Sequence, residues 1–491
     1  MKEGVKAYLS VYLALTLGVL ISLSLALIEG VRLNTLQLEA TCVSDIGMDA
    51  VMAEYHRELF RRFNLLALDS SYGRRTAGVR NVAARLEHYV LQNTSGFGEE
   101  RLGRIADVIY RDLLEMELCE VSIEGITAIT DEEGAVFRRQ AILALQDDLG
   151  ITSAKEILEW FQTVKEYQLD TRDVEAEKKE VDQKIASYQG KEILIDEETE
   201  ILDFEDPTVT LEQRKKTGIL KQTMGEQALS EKKLNSSLLI RQRLKDGRAI
   251  SGNRPERECD KSLGITEKIA FSEYVMRYMG CFLENKPGSA LDYEVEYVIS
   301  GKDADADNLK GVLYRLLALR EAANATYLFS DKEKSGEAEM AALAISVVLL
   351  VPELKDVFKS ALLLGWAYAE SVYDLKVLLS GGKIALIKDK DTWHYSLSSI
   401  LEDAWEEFWH GEQQNREEKG LTYQDYLRLL LLVTPEEDVT MRAMNLVEAD
   451  IRQTEGNKTF RLDGCFVRLE SQVSFESKYG YQTQCEVKKS Y

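Results

Sequence analysis

Proline is scarce in this sequence, and its scarcity shapes the first expectation about the fold. The 491 residues include five prolines, and the first of them is Pro207. Because proline breaks helices, the residues before it can form long uninterrupted ones. We therefore expect the N-terminal part of the chain to be mostly helical.

Cysteine is also sparse, and it forms no metal-binding or redox motif. The sequence has no CxxC pair, which argues against a zinc ribbon or a thiol–disulfide centre. Outside the cytoplasm, disulfides could join Cys259 to Cys281 and Cys465 to Cys485, and buried free thiols are the alternative. The two remaining cysteines are Cys42 and Cys119.

Signatures of catalysis and cofactor binding are missing too. There is no GxSxG, GxGxxG or HExxH motif, and the four histidines are too scattered to suggest ligands or a base. SGGKIA resembles a phosphate-binding loop only at Gly382 and Lys383, and Ile384 replaces the Ser or Thr that binds magnesium. The acidic string at 303–308 lacks the glycine and glutamate of a calcium loop and is expected to cap a helix. We expect no enzyme activity, cofactor or metal.

Glu370 is the most unusual carboxylate in the sequence. It lies in the apolar string LLLGWAYAES, where Trp366, Tyr368 and Leu364 would surround it on a helix. Such surroundings can raise the pKa of a carboxyl group and mark a functional pocket. A salt-bridged or surface glutamate is the simpler interpretation, and we prefer it.

Positive charge is in deficit. The net charge is −23; residues 1–32 carry +1, so residues 33–491 carry −24. An acidic chain repels nucleic acid and anionic lipid head groups, so we expect neither as a ligand. Solubility is the plain explanation of the charge.

One uncharged run stands out at the N-terminus. Residues 7–28 read AYLSVYLALTLGVLISLSLALI. As a helix the run spans roughly 33 Å, close to the ~30 Å hydrocarbon core of a bilayer. Lys2 and Lys6 precede it and only Arg32 follows closely, so the positive-inside rule places the N-terminus in the cytoplasm. We predict a single-pass protein of the cell membrane, in contact with lipid, with the bulk of the chain extracytoplasmic.

Small residues recur along this run at intervals of four, an extension of the small-xxx-small pattern with which membrane helices pack. They are Ser10, Ala14, Gly18, Ser22, Ala26 and Gly30. A partner helix in the membrane is one explanation, and the general richness of membrane helices in small residues is the other. A signal peptide cleaved after Ala26 is a further alternative to an anchor.

We predict an α+β fold that is mostly α, with a C-terminal antiparallel β-meander. The expected segments are a cytoplasmic tail (1–6), a transmembrane helix (7–28), a helical stalk (29–68), a helical region with a coiled-coil-like hairpin (69–250) and an α+β domain (261–491). Helix is expected from about residue 79 to 120, interrupted around residues 93–98.

The hairpin is predicted from an a/d repeat over residues 157–188. Every d position is apolar or aromatic, while polar Thr171 and Lys178 occupy two a positions. This favours one arm of an intramolecular hairpin over a long oligomeric coiled coil. Residues 226–245 are expected to return along the first arm.

The C-terminal half has a different pattern. LDYEVEYVIS alternates apolar and acidic residues, which predicts a strand, and a helix should follow to about Phe329. The apolar runs 340–351 and 360–369 are too short to span a bilayer, so we predict core helices. KTFRL, CFVRLESQVSF and YQTQCEVKK predict three strands of a meander, in which Cys485 faces about residue 472 and not Cys465.

Several strings resemble an uncharacterised family, a domain of unknown function, of bacterial single-pass proteins whose genes lie beside those of Tad (tight adherence) pili. They are residues 11–73, LDYEVEYVISGKDADADNLKGVLYRLLALREAAN, ALLLGWAYAESVYDLKVLLSGGK and GLTYQDYLRLLLLV. The apolar helix followed by Glu29, Gly30 and Arg32 is more distantly similar to TadE and TadG, pseudopilin-like components of those machines.

The resemblance implies a membrane-anchored, non-enzymatic component of a Tad-type pilus or related secretion apparatus, with pilin-like membrane proteins as partners. Prepilins are cut after a glycine, here Gly4, and usually have Glu at the fifth mature position. Leu9 occupies that position, which argues against processing like a major pilin. An anchored ligand sensor or enzyme with a pocket around Trp366 and Glu370, and a secreted structural protein, are the alternatives. The oligomeric state is not predicted.

Overall fold

The computed structural model describes two compact units, built from residues 2–95, 116–145, 151–190, 192–195, 198–201, 215–225, 227–253, 263–401 and 420–491. Unit 1 comprises Met1–Gln140, Arg243–Cys259 and Thr454–Tyr491. Unit 2 comprises Ala141–Gln242 and Asp260–Gln453.

Unit 1 combines one very long helix with an antiparallel sheet. Its described helices are α1 (Lys2–Met52), α2 (Arg57–Phe63), α3 (Val79–Ser95) and α4 (Asp131–Leu143, which extends past the unit boundary). Its strands are β1 (Leu68–Asp69), β2 (Met116–Ala128), β5 (Cys465–Ser477) and β6 (Gln482–Ser490). The predicted continuation of the membrane helix into a stalk is confirmed as far as Met52, where α1 ends.

Strand β5 is the centre of this sheet. It pairs antiparallel with β2 on one side and with β6 on the other, and β1 pairs with its first residues. The outer part of α1 and α3 cover the sheet, and Val43, Val82, Leu469 and Val473 belong to their common core. The sheet therefore holds the outer half of α1 in place.

Two predictions for unit 1 are wrong. Helix was expected up to residue 120, but β2 begins at Met116, because the backbone from this residue onward pairs antiparallel with β5. KTFRL forms no strand and leads into a short 3₁₀ turn at Leu462–Gly464, so the C-terminal strands form a hairpin instead of a three-stranded meander. The antiparallel C-terminal strands themselves are confirmed.

The cysteines of unit 1 are free thiols where the structure describes them. Cys485 lies opposite Val473 in the β5–β6 hairpin, one residue from the predicted position. Cys465 and Cys485 are both buried and unbonded to each other. Cys281 of unit 2 is likewise free, and Cys259 lies outside the described residues.

Unit 2 is mostly helical, as predicted. Its described helices are α5 (Ile151–Glu166), α6 (Val174–Ala186), α7 (Ile219–Met224), α8 (Ile240–Lys245, which extends past the unit boundary), α9 (Ile265–Tyr278), α10 (Glu294–Ser300), α11 (Asp305–Ser330), α12 (Lys332–Val348), α13 (Lys355–Leu379), α14 (Leu397–Leu401), α15 (Tyr423–Val433) and α16 (Glu436–Gln453). A small hairpin joins β3 (Glu192–Ile195) to β4 (Glu198–Ile201). Helices α11 and α13 form the centre, and α6, α7 and α12 pack on α13.

The stretch LDYEVEYVIS is helix α10, so the predicted strand is wrong. Alternation indicates a strand when its polar residues face water. Here Glu294 and Glu296 are as buried as Val295 and Ile299, and their carboxylates bind backbone N–H groups of residues 280 and 282. The apolar and the acidic residues of this stretch are therefore all buried. A helix that is buried on all sides can have such an alternating sequence as well as a strand can.

The predicted helical hairpin does not form. Residues 167–173 separate α5 from α6, so the a/d repeat is divided between two helices. Of residues 226–245, only Ser236–Leu238 and Ile240–Lys245 are helical within the described part. Helix α6 packs on α13 instead, which explains why its apolar positions are buried.

The two short apolar runs behave differently from each other. Helix α13 is a core helix, as predicted, with Trp366 and Leu375 fully buried. Helix α12 is not, because Met340, Val347 and Val348 along its apolar run are exposed.

Candidate functional site

The first half of α1 contacts no other part of the described chain through its apolar side chains. From Tyr8 to Ile28 nearly every side chain is exposed, and the most apolar window of the helix has a mean hydropathy of 2.4 with none of it buried. Among the described residues, α1 is one helix long and apolar enough to cross a membrane by length and composition. The predicted anchor thus has a continuous helix and a free surface.

The six small residues of α1 do not share one face. An α-helix turns by about 100° per residue, so each interval of four advances about 40° around the axis. From Ser10 to Gly30 the line of small residues therefore rotates by about 200°. A single partner helix can contact three or four of them in succession, such as Ala14, Gly18 and Ser22. To do so, it must cross α1 at an angle that follows the winding row of small residues.

Hydroxyl groups in this part of α1 are bonded within the helix. Thr16, Ser22 and Ser24 each donate to a carbonyl oxygen three or four residues earlier, at 3.0, 2.9 and 2.9 Å. Polar groups in hydrocarbon must be satisfied internally, and these are. At Gly18 and Gly30 no atom lies within 4 Å of the point that a Cβ would occupy, so both leave open space beside the helix.

The second half of α1 is fixed to unit 1. Gly47 packs so closely on α3 that a Cβ there would lie 3.0 Å from Val90 and 3.2 Å from Leu86. Lys489 of β6 pairs with Asp45 and Asp49 at 2.8 and 2.9 Å. One helix therefore has a free apolar half and a half held by the fold.

Glu370 of unit 2 is buried and salt-bridged. Its Oε1 contacts Lys388 Nζ and accepts from the backbone N–H of His394 at 2.9 Å, and its Oε2 accepts from that of Tyr395 at 2.9 Å. Lys388 Nζ also lies 2.6 Å from Asp374 Oδ1. The preferred interpretation of Glu370 as a salt-bridged residue is confirmed.

Arg320 completes this buried network from α11. Its guanidinium pairs with Asp374 Oδ2 at 2.9 Å and donates to the hydroxyl of Tyr426 at 2.9 Å. It also donates to the carbonyl oxygens of Ala385 and Leu386 at 2.9 and 2.8 Å. The network therefore joins α11, α13 and α15 to the segment after α13.

The network is electrically balanced and closed to solvent. Two carboxylates face two cations, and all four side chains are fully buried. Burial alone would raise the pKa of Asp374, but Lys388 and Arg320 outweigh it and lower that pKa. Buried charged groups that are all paired with one another fix how the helices pack, and no substrate can reach them. We therefore assign this network a structural role.

A cavity of about 720 Å³ in unit 2 reaches α13 at Tyr368, on the face of the helix opposite Glu370. Its polar lining includes Arg172, Lys215, Gln222 and Glu321. Arg172 is paired with a neighbouring carboxylate, and Lys215 lies 4.5 Å from the ring centroid of Tyr368. Glu370 itself does not line this cavity.

The acidic string at 303–308 contributes to the fold rather than to a described metal site. Asp305 is buried and accepts from the Ser230 hydroxyl and from the backbone N–H of Asp292. The N-cap of α11 is Ala304 without a side-chain bond, so the predicted capping by aspartate is wrong. In the described part of the chain no three His, Cys, Asp or Glu side chains gather as metal ligands.

The chain belongs to a family of unknown function, DUF5702, which matches residues 197–477. The match begins after α1 and covers most of unit 2 and strand β5. No curated protein and no solved structure matches the chain. The predicted membership of an uncharacterised family is confirmed.

Proposed function

We propose that this protein is a membrane-anchored, non-enzymatic component of an assembly or secretion apparatus, with its N-terminus cytoplasmic and both units extracytoplasmic. The observation that carries the proposal is the division of α1 into an exposed apolar half and a half held by unit 1. A helix built in this way transmits a contact made in the membrane directly to the folded unit.

A Tad-type pilus is the apparatus we favour. The sequence resemblance to proteins encoded beside Tad pili supports it, and so does the similarity of the N-terminal helix to TadE and TadG. Membrane lipid and pilin-like membrane proteins are the proposed partners, contacted through the small residues of α1. The acidic charge of the chain supports the proposal that nucleic acid is not a partner.

The docking proposal predicts a face-specific effect of bulky substitutions in α1. Gly18→Ile with Ser22→Ile fills the open side of the helix and should reduce co-purification of neighbouring pilus proteins at least tenfold, because close helix approach is lost. Association is measured by quantitative mass spectrometry after affinity purification from detergent-solubilised membranes.

A matched pair of substitutions controls for hydrophobicity. Thr16→Ile with Ser24→Ile places the same two isoleucine side chains on the other side of α1, about 120° to 160° away, with a smaller gain in volume, and should leave co-purification unchanged. Equal recovery of partners with both double variants would contradict docking through the small residues.

Ligand sensing is a second candidate, favoured by the cavity of about 720 Å³ in unit 2. Its mixed polar lining suits a small polar molecule. If a screen of such molecules raises the thermal unfolding temperature of the wild-type protein and Tyr368→Ala removes that rise, the sensor role gains support.

A further inference from the structure

Helix α12 exposes a row of large apolar side chains. The exposed fractions are 71% for Met340, 49% for Leu343, 58% for Val347, 79% for Val348 and 53% for Leu350. With the exposed Ala344, these residues form what we call the α12 face. Together they present roughly 500 Å² of apolar surface, the size of the largest apolar patch on a typical monomer, and such a patch is often functional.

The α12 face has the spacing of a helix-docking surface. Met340, Leu343, Ala344, Val347 and Val348 follow one another at i, i+3, i+4, i+7 and i+8, so they line one side of α12. The opposite side of the helix is already buried against α13 through Ala338, Ala342 and Ser346. Helix α12 is therefore apolar on both sides, which its folding within unit 2 does not require.

Acidic residues lie at both ends of the α12 face. Glu337 precedes Met340 by one turn, and Glu353 and Asp356 follow Leu350, all three exposed. The nearby lysines, Lys355 and Lys359, share the carboxylate of Glu339 at 2.9 Å each, and Lys355 also lies 4.0 Å from the carboxylate of Asp356. The balance of these six groups is two negative charges.

These charges favour some binding partners of the α12 face over others. A lipid surface prefers apolar helices with lysine and arginine at their rim, the reverse of this arrangement. A second copy would place the same carboxylates opposite each other, on a chain of net charge −23. The chain's own residues 402–419, outside the described part, contain seven acidic and two basic residues and would be repelled.

We propose that the α12 face binds an amphipathic helix of another protein, one with an apolar stripe at helical spacing and lysine or arginine at both ends. The apolar stripes supply the contact, and the terminal charges set its position and direction. This contact is separate from docking in the membrane and does not depend on it.

Two synthetic peptides test the proposal with the full chain in phosphatidylcholine nanodiscs. Both are 18-residue helices with the same leucine and alanine stripe, one with lysine at both ends and the other with glutamate. Fluorescence anisotropy should show saturable binding of the lysine peptide and at least tenfold weaker binding of the glutamate peptide.

Substitutions in the chain locate the site. Val347→Ser with Val348→Ser should weaken binding of the lysine peptide at least tenfold, and Glu337→Gln with Glu353→Gln should weaken it severalfold and reduce its salt dependence. Leu91→Ser, at another exposed leucine, is the matched control and should change nothing. Equal binding of both peptides, or binding that survives the valine substitutions, overturns the proposal.

Three other binding partners of the α12 face would each give a distinct result, and each of these results would overturn the proposal. Association of nanodisc-held chains with one another, lost in Val348→Lys, identifies a second copy. Co-sedimentation with added vesicles, lost in the same variant, identifies lipid. Peptide binding that is absent in the wild type and present after deletion of 402–419 identifies the chain's own segment.

Discussion

Glu296 is a fully buried carboxyl group that forms no ion pair with the described residues. Its Oε1 accepts from the backbone N–H of Phe282 at 2.9 Å and from the hydroxyl of Tyr423 at 2.7 Å. Burial raises the pKa of Glu296 to about 7, because the two hydrogen bonds recover only part of the lost hydration. The group titrates near neutral pH, while an ordinary glutamate has a pKa of 4.5.

This shift predicts a pH-dependent stability for unit 2. Between about pH 4.5 and 7 the unfolded chain releases the Glu296 proton and the folded chain keeps it. The free energy of unfolding therefore falls as pH rises through this window, by about 3 kcal/mol. Glu296→Gln keeps an acceptor for both hydrogen bonds and should remove that part of the decline.

The five tryptophans fall within the sequence segments of unit 2, so their fluorescence during urea unfolding reports on it. The wild type and Glu296→Gln should differ little at about pH 5 and diverge toward about pH 8, with the variant more stable. The exposed Glu180→Gln is the control and should follow the wild type. A constant difference between wild type and Glu296→Gln across the range would show that Glu296 does not titrate there.

At the scale of the element, two of the glycines in α1 have opposite surroundings. Gly47 faces α3 at van der Waals distance, and Gly30 faces open space. Gly47→Val should lower the free energy of unfolding of unit 1 by about 2 kcal/mol, because the added methyl groups overpack the contact with Val90. Hydrogen–deuterium exchange of α3 peptides should show the loss as faster exchange.

Gly30→Val supplies the comparison in the same helix. It makes the same chemical change where no neighbour is displaced, and it should leave exchange in α3 unchanged. Similar exchange in both variants would mean that α1 is not held against α3 as the structure shows.

A local sequence pattern predicted an element correctly where the burial of that element follows from the pattern itself. The apolar run of residues 7–28 predicted a helix, and in the structure this part of α1 is helical and, from Tyr8 to Ile28, almost entirely exposed. The strand expected at residues 291–300 failed because Glu294 and Glu296 are buried, a tertiary effect that alternation does not encode. The exposure of Val347 and Val348 was missed for the same reason, since an apolar run does not reveal whether both of its sides are covered.

The predictions for individual sites show the same difference between local sequence patterns and contacts that are remote in sequence. The sequence identified Glu370 and its apolar neighbours, but Lys388 and Arg320 lie 18 residues after and 50 residues before it in the chain. Charge pairs at such separations leave no periodic signal. The regular spacing of the small residues in α1 can be read from the sequence. That the row they form winds around the helix follows only from helical geometry.

At the scale of the molecule, a long apolar helix is combined with two folded units, and the chain belongs to an uncharacterised family. The mostly helical α+β class was predictable from the scarcity of proline and the C-terminal strand patterns, and the structure confirms it. The division into units built from discontinuous segments was not, because residues 243–259 and 454–491 join unit 1 through contacts remote in sequence.

The most direct test of membrane anchoring is intact mass spectrometry of the native protein from membranes washed with alkaline carbonate. We predict that the mature protein stays in the washed membranes and retains residues 8–28, whether or not the chain is trimmed after Gly4. A mature N-terminus at Leu27, with the protein released into the soluble fraction, would contradict membrane anchoring by α1.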